Sequence, residues 1–380
     1  SPYFVEYSDV VAKALTYAKP ELRDYDVLPA LEAYFKHQAE LPLWVVEVAC
    51  QLNLRDITIH ARYQYLWFCL HETTLTRTQP SGRVFRTKVQ FPSCYVQMDA
   101  KLRSLLLQAC AVMEIPLRKF PALCGYKKAD YIKSLPLLAI MKICQIQQTD
   151  IWALLAGRAL FGMTRKTGQI VIPRNFNDVN IMILLIWLRT DGHLELGSTH
   201  IEINQTNSLL SLEALRKLVV HTFKFNTKNL KFFKGSRGED RLIISSSALR
   251  QFLTLRYEIP IGYKSRVLQE MNFDNFSIQD KLRMLPAFIQ SEGSLSYHYT
   301  RNKKKRLPRF EFIVADRNLA LDCLRLLQSF GYSPTFSERQ NLFKVGMYSS
   351  NEVIGLITKT RPYLSDDRKI KELLANGIRL

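Results

Sequence analysis

The sequence has no apolar run of about eighteen residues, the length that a helix needs to cross a bilayer, so it predicts no transmembrane helix. Acidic residues are scarce: 34 Asp and Glu stand against 53 Lys and Arg, which leaves a formal net charge of +19. That surplus favours a polyanionic partner, with nucleic acid ahead of an anionic membrane surface. The start of the chain is polar and acidic, so no signal peptide is predicted.

No two of the seven cysteines form a CxxC pair, and most lie in apolar segments with helical spacing. The sequence therefore predicts reduced, buried thiols in an intracellular protein. Cys50, His60, Cys69 and His71 could be grouped as a zinc site, but their spacing matches no standard zinc pattern.

Two apolar, helix-length runs, IMILLIWLRTDGHLEL and DKLRMLPAFIQSEGSLSY, organise the second half of the sequence. Each ends in an acid followed by a glycine: Asp191–Gly192 and Glu292–Gly293. The glycine predicts a helix end, because glycine readily takes the left-handed conformation. The acid is unfavourable there, because the C-terminal end of a helix is negative. Its occurrence in both runs suggests that a cation lies between the two acids.

The segments after each run repeat in one order: strand, strand, helix, strand, strand, helix. The sequence therefore predicts a duplicated αββαββα unit. The first set is His193–Leu196, His200–Asn204, Leu209–Thr222, Asn229–Lys234, Asp240–Ser245 and Ser247–Tyr257. The second set is Ser294–Thr300, Arg309–Val314, Leu319–Phe330 closed by Gly331, Pro334–Arg339, Leu342–Tyr348 and Asn351–Lys359.

This duplicated order, with each leading helix ending in an acid and a glycine, resembles the LAGLIDADG family of homing endonucleases, intein nucleases and intron maturases. The resemblance covers 173–362 and aligns LLIWLRTDG with LPAFIQSEG. It implies an α+β fold, in which a mainly helical N-terminal region precedes a duplicated αββαββα saddle. It also implies that the two motif helices pack at a pseudo-twofold axis, that Asp191 and Glu292 bind a divalent metal, and that two four-stranded sheets lie over DNA.

The motif helices depart from the family pattern at several positions. Ile186 is bulky where the family has a small residue at the helix contact, whereas Ala287 in the second copy is small. Pro286 removes one helical hydrogen bond unless it lies in the first turn. Arg189 and Gln290 replace the first acid of the motif, which is not the metal ligand in the family. The helix interface is thus altered, while both implied metal ligands remain.

Three domains are predicted: 1–165, a mainly helical region; 173–262, the first half; and 263–380, the second half with a C-terminal helix. Within the first, the helices predicted at Pro42–Leu52 and Ile57–Leu70 and the basic two-stranded ribbon predicted at 77–91 are typical of a winged helix-turn-helix. An ordinary helical bundle with a solvated basic loop is the alternative.

A second helix-turn-helix candidate lies at Leu135–Leu160. There Ser134 is predicted to cap a helix at Pro136–Cys144, and Thr149 is predicted to cap a helix at Ile151–Leu160. A helical hairpin that only packs is the alternative.

Basic residues concentrate where the implied sheets would face a phosphate backbone. The run RNKKKRLPR joins two strands of the second half, and Ile261–Ser265 resembles the linker between halves in intein-type family members. An alternative role for such charge is simple solvation. The nucleic-acid contacts predicted are Lys231, Arg241, Lys264, Arg301, Lys303, Lys304, Lys305, Arg306, Arg309 and Arg339.

The resemblance implies a metal-dependent DNA endonuclease, with Mg²⁺ held by Asp191 and Glu292 to activate water at the scissile phosphate. Family members often add a lysine near that water, and Lys344 and then Lys234 are the candidates. Two alternatives stand beside cleavage: a non-cleaving DNA-binding regulator, and an RNA-binding maturase or ribonucleoprotein component. Double-stranded DNA, with RNA as the alternative, is the expected partner of a monomer with internal pseudo-twofold symmetry. The expected compartment is the cytoplasm in a prokaryote and an organelle in a eukaryote.

Overall fold

The computed structural model describes the strands at 72–78 and 84–90, and then residues 94–375 except for gaps at 113, 115, 118–133, 148, 163–167, 195–198, 207, 237, 258, 260–269, 300–305 and 341. These residues form two compact units. Unit 1 takes the described residues up to Ile172 together with those in 195–200 and 245–263; unit 2 takes 173–194, 201–244 and the described residues from 264 onward. This division follows packing rather than chain order. The sequence-continuous domains 1–165, 173–262 and 263–380 stay a prediction.

A two-stranded antiparallel ribbon is formed by β1 (Glu72–Thr78) and β2 (Val84–Gln90). It confirms the ribbon expected at 77–91, although the first strand begins earlier than expected. The helices predicted before it, Pro42–Leu52 and Ile57–Leu70, lie outside the described residues, as do the two cysteines and two histidines that could be grouped around zinc. The winged helix-turn-helix therefore stays a prediction.

Unit 1 is built on a four-stranded antiparallel sheet, although the local sequence patterns predict mainly helix there. Its first strands have only three or four residues, too few for periodicity to separate a buried strand from a helix. A helix from later in the chain packs on this sheet. The elements are β3 (Cys94–Gln97), α1 (Ala100–Val112), β4 (Ser134–Pro136), α2 (Leu137–Ile146), α3 (Ile151–Leu155), β5 (Ala159–Gly162), β6 (Ile170–Val171) and the later helix α6 (Ser247–Tyr257). The strand order is β4-β3-β5-β6, and α6 contacts β3 and β5.

The caps predicted for the two short helices of unit 1 are wrong. Ser134 pairs with Gln97 in the sheet, so it cannot cap α2. Asp150, not Thr149, is the N-cap of α3, because its carboxylate accepts hydrogen bonds from the backbone N–H groups of Trp152 and Ala153. The helix α3 also ends earlier than predicted, because the chain turns into β5.

The duplicated order that the sequence predicted lies mainly in unit 2. In both halves a helix leads into two strands, a helix and two strands, and a further helix follows; that further helix belongs to unit 1 in the first half and to unit 2 in the second. The first half consists of α4 (Val179–Thr190), β7 (Gly192–Leu194), β8 (His200–Gln205), α5 (Leu209–Phe223), β9 (Leu230–Lys234) and β10 (Asp240–Ser245), with α6 next in the chain. The second half consists of α7 (Ile278–Gln290), β11 (Gly293–Tyr299), β12 (Arg306–Val314), α8 (Arg317–Gln328), β13 (Thr335–Arg339), β14 (Leu342–Met347) and α9 (Ser350–Thr360), and α10 (Arg368–Ala375) follows.

The two sheets of unit 2 have equivalent topologies, β7-β8-β10-β9 and β11-β12-β14-β13. Alternation along each strand sends one set of side chains into a core against the helices. In the second sheet that set includes Phe310, Phe312, Val345 and Met347, all almost fully buried. The opposite set forms what we call the open face of each sheet. The duplicated α+β fold expected from the sequence is thus confirmed.

The motif helix α7 is continuous through Pro286, which lies well beyond its first turn. Proline removes one backbone hydrogen bond in such a position. The whole segment from Met284 to Gln290 is buried, so its packing stabilises the helix despite that loss.

Within the described ranges, no helix is long and apolar enough to cross a bilayer. The four cysteines that fall in those ranges, Cys94, Cys110, Cys144 and Cys323, are buried, as the sequence predicted, and none of them takes part in a disulfide there.

Candidate functional site

The two motif helices, α4 and α7, pack against each other. Ile186 and Ala287 are both buried, so the bulky residue does not prevent the helix contact. Asp191 is the C-cap of α4, and Glu292 follows Ser291, the C-cap of α7. The two acids predicted as metal ligands therefore stand at the C-terminal ends of paired helices.

Gly192 and Gly293 do not take the left-handed conformation, so the conformational reason first given for them is wrong. Both residues begin strands immediately after the motif helices. A Cβ on Gly192 would lie 2.8 Å from Leu188 Cα, and one on Gly293 would lie 2.5 Å from the Phe288 carbonyl oxygen. Glycine is required at both places because the strand starts directly against the last turn of its helix.

A lysine from the C-terminal helix reaches the end of α7. Lys369, in α10, donates from Nζ to the carbonyl oxygens of Ile289 at 2.8 Å and Gly293 at 2.6 Å, with longer contacts to those of Ser291 and Gln290 at 3.3 and 3.4 Å. Burial lowers the pKa of this ammonium, while the negative charges of Asp191 and Glu292 act in the opposite direction. Both motif acids therefore interact electrostatically with one cation supplied by the chain.

The oxygens at this corner are of the kind that magnesium prefers. However, the Lys369 ammonium already binds the carbonyl oxygens at the end of α7, and the Gln205 amide donates to the Asp191 carboxylate. A divalent ion placed between the acids would be repelled by that ammonium. Among the described residues, no group of three or more His, Cys, Asp or Glu side chains is arranged to hold a metal ion. As arranged, the residues present do not fit a magnesium ion.

Arg189, which replaces the first acid of the motif in α4, is buried in an ion cluster. Its guanidinium donates to Asp316 at 2.7 and 2.9 Å and lies 3.5 Å from Asp322. Asp316 is the N-cap of α8. Burial raises the pKa of Asp322 to about 7, although the Met271 N–H and Arg189 favour its charged form. This cluster fastens the first motif helix to the second half of the duplication.

Gln290, at the equivalent position in α7, contacts the first half of the duplication, whereas Arg189 contacts the second. With its amide oriented so that the oxygen faces backbone N–H groups, that oxygen accepts from Asp366 at 2.8 Å and from the Ser211 hydroxyl at 3.2 Å. Ser211 lies in α5, and the N-cap of α5, Ser208, donates to Asp366 at 2.7 Å. Each motif helix is thus connected to the middle helix of the other half.

The open face of the second sheet centres on a buried acid, Glu311. Lys344 donates to its carboxylate, the Tyr348 hydroxyl donates to it at 3.0 Å, and Arg309 lies 3.7 Å away. Burial raises the pKa of Glu311, but the hydrogen bonds from Lys344 and Tyr348 and the charge of Arg309 outweigh it and hold the pKa below its ordinary value. These contacts hold two basic side chains in defined positions on the face.

The open face of the first sheet has an equivalent acid, Glu202. Glu202 and Glu311 each precede the residue that pairs with the motif glycine. Arg241 bonds Glu202 at 3.1 Å and also bonds Glu239. Strand register places Lys231 on the same face, because it pairs with Ile243, two residues from Arg241. An acid paired with a basic residue from the fourth strand therefore occurs on both open faces.

Other predicted site residues fall in different places. Lys234, in the edge strand β9 of the first sheet, forms an ion pair at 2.5 Å with buried Asp240 of β10. Arg306 lies over the rings of Tyr297 and Tyr299. Arg339 is exposed on the open face of the second sheet, since it is two residues from Ser337, which pairs with Lys344. The roles of Lys344 and Lys234 beside a metal-bound water stay predictions. Five predicted contacts lie outside the described residues: Lys264, Arg301, Lys303, Lys304 and Lys305.

Sequence reasoning missed three residues of this site: Lys369, Glu202 and Glu311. Lys369 stands in an ordinary charged segment, RKIKELLA, and nothing in its spacing points to the motif helices. The two glutamates could have been found, because the second strand of each repeat carries a single acid, Glu202 in HIEINQ and Glu311 in RLPRFEFIV.

No family model and no curated protein matches this sequence. The structure is similar to solved structures of LAGLIDADG proteins, at TM-scores of 0.32 to 0.36. One is the N-terminal LAGLIDADG domain of DUF199/WhiA, with 14% identity over 50% of this chain and 86% of that chain, at a TM-score of 0.32. Another is I-DmoI in complex with DNA and Mn, with 13% identity over 49% and 97% and a TM-score of 0.33.

A third is the I-SmaMI LAGLIDADG homing endonuclease bound to cleaved DNA, with 11% identity over 50% of this chain and 85% of that chain, at a TM-score of 0.36. Similarity at these TM-scores carries no conclusion about the activity of this chain. LAGLIDADG proteins, to which these solved structures belong, are the family that the two motif helices of this chain resemble.

Proposed function

We propose that this chain binds double-stranded DNA through the open faces of its two sheets. The observation that carries the proposal is the duplicated arrangement of basic side chains on those faces, with Arg241 and Lys231 on one and Lys344, Arg309 and Arg339 on the other. A net charge of +19 supplies the long-range attraction to a polyanion. The acids Glu202 and Glu311 hold their basic partners in place, which favours contacts of fixed geometry over a diffuse charged surface.

Metal-dependent cleavage is the second candidate, and the convergence of Asp191 and Glu292 at the ends of paired helices favours it. The Lys369 ammonium opposes it, because the acids already have a cation. We therefore propose binding without cleavage, by a monomer that contains both halves in one chain. RNA as the partner and the cellular compartment stay predictions.

Salt dependence tests the DNA-binding proposal. Each phosphate contact contributes about 0.9 to the slope of log affinity against log salt for duplex DNA. Lys231 and Arg339 are exposed on the open faces. We expect Lys231→Gln combined with Arg339→Gln to reduce the magnitude of that slope by about 1 to 2. The matched control is Lys217→Gln combined with Lys359→Gln, because both lysines are exposed on helices, away from the open faces.

Equal effects of the two double variants would show that binding is non-specific attraction to the whole charged surface. Stronger binding to duplex RNA than to DNA would favour the maturase alternative. The same samples, incubated with supercoiled plasmid in Mg²⁺ and then Mn²⁺, should show no nicking. Nicking that Asp191→Asn abolishes would establish the endonuclease instead.

A further inference from the structure

The C-terminal end of α7 is surrounded by oxygen atoms that face one nitrogen. The Lys369 ammonium has three N–H donors and lies within 3.4 Å of four carbonyl oxygens, those of residues 289, 290, 291 and 293. It comes from α10, an element outside the duplicated order. A single lysine thus contacts four of the five carbonyl oxygens from Ile289 to Gly293, all except that of Glu292.

Three sources of negative charge act on this nitrogen. The C-terminal end of a helix carries about half a negative charge. The carboxylates of Asp191 and Glu292 each add a formal charge, and both interact with Lys369. Left without a cation, two carboxylates and a helix end would repel one another.

The position of Lys369 is fixed by neighbouring bonds. Asp366 accepts from the backbone N–H of Arg368 at 2.9 Å and from the Ser208 hydroxyl, and Gln290 bonds Ser365 and Asp366. These bonds fasten the start of α10 to α5 and α7. The ammonium is therefore held at the end of α7, on the carbonyl oxygens on either side of Glu292, at a high effective concentration that an ion from solution would have to overcome.

We propose that Lys369 is the resident cation of the two motif acids and stands where a divalent metal would otherwise bind. In this chain the acid pair stabilises the fold by holding α10 against the motif helices. The proposal goes beyond DNA binding and does not depend on it, because neither the open faces nor a nucleic acid takes part.

Metal binding by the full chain tests the proposal. Mn²⁺ binding is measured by the electron paramagnetic resonance signal of the free ion, without DNA. We expect Lys369→Met to bind Mn²⁺ at least about tenfold more tightly than the wild type, because a like charge is removed from the acids. Adding Asp191→Asn and Glu292→Gln to that variant should abolish the gained site. Saturable Mn²⁺ binding by the wild type that Asp191→Asn abolishes would overturn the proposal.

Thermal unfolding gives a second readout, which remains available if Lys369→Met fails to fold. In the wild type, Asp191→Asn and Glu292→Gln should each lower the unfolding midpoint, because each removes a negative charge that acts on the ammonium. In the Lys369→Met background the same substitutions should raise it, because they relieve repulsion between the acids. The control is Asp367→Asn, whose partner Lys371 is exposed, and it should change little in either background.

A rise of the midpoint for both acid substitutions in the wild type would also refute the proposal. The proposal would also be refuted if a folded Lys369→Met variant gained no Mn²⁺ site and if Asp191→Asn and Glu292→Gln did not change its unfolding midpoint. Lys369 would then be only a helix cap. DNA affinity should be unchanged by Lys369→Met, so failure of this proposal is distinguishable from failure of the binding function.

Discussion

Replacing Arg189 by methionine removes the cation from the most deeply buried charge cluster described in unit 2. Methionine is unbranched and apolar, so it tests the charge while keeping much of the packing. The Arg189 side chain is only 3% exposed, and those of Asp316 and Asp322 are 8% and 0% exposed. The substitution would leave two buried carboxylates without their guanidinium.

The magnitude follows from that geometry. Removing one partner of a buried ion pair costs about 3–5 kcal/mol, mostly because the remaining charge is buried without compensation. At pH 8 we expect most of that cost, because Asp322 is then mainly charged in the wild type. Removing the Arg189 charge raises the pKa of Asp322 further, so a proton bound there limits the loss. Near pH 5.5 we expect a smaller cost, because Asp322, whose pKa is about 7, takes up a proton. Asp322→Asn should recover part of the stability of Arg189→Met.

Urea unfolding followed by fluorescence measures the effect. The matched control is Arg216→Met, since Arg216 pairs with Glu213 at 3.0 Å and both side chains are about one-third exposed. Such surface pairs contribute under about 1 kcal/mol. If Arg189→Met lowered the free energy of unfolding at pH 8 by no more than Arg216→Met does, the ion pair of Arg189 would not hold the first motif helix to α8.

Three further outcomes are expected. Asp322 should lower the stability as the pH rises between about 4 and 7, because folded Asp322 keeps a proton that the unfolded chain releases. In pH-dependent urea titrations the stability of Asp322→Asn should therefore gain on that of the wild type across this range. Gly293→Ala should lower the free energy of unfolding by about 2 kcal/mol or more, because its Cβ would clash with the backbone; thermal unfolding measures the loss. Its control is Gly355→Ala in α9, which should be neutral or stabilising, because its Cβ would make an ordinary contact at 3.5 Å with Tyr332. Glu311→Gln should tighten duplex binding and weaken its sequence discrimination in competition assays, because it frees Lys344 from its anion; unchanged discrimination would mean that Glu311 only stabilises the sheet.

The repeated order of unit 2 was predictable because it rests on local patterns. Alternation identified strands such as Asp240–Ser245, and helical spacing identified Ser247–Tyr257, both with the bounds observed. Each pattern is read within a dozen residues, so it does not depend on which element packs against which.

Long-range partners could not be predicted in this way. Arg189 bonds Asp316 across 127 positions, and Lys369 reaches Gly293 across 76. Neither pair leaves a signal in local spacing, because the partners meet only through packing of helices. The motif glycines were recognised correctly as helix ends, but their physical reason, close approach rather than conformation, required coordinates.

The helix α6 has a consequence for synthesis on the ribosome. In chain order it follows β10 of the first half of unit 2, yet it packs on β3 and β5 of unit 1, where Phe252 meets Trp152 edge to face. Domains usually complete their folding from the N-terminus as the chain emerges. Here the sheet of unit 1 must wait for residues 247–257, by which time the first motif helix has already been made. A gene truncated before α6 would therefore leave β3 and β5 without the contacts that α6 makes, and a fragment begun at 173 would carry α6 without those two strands.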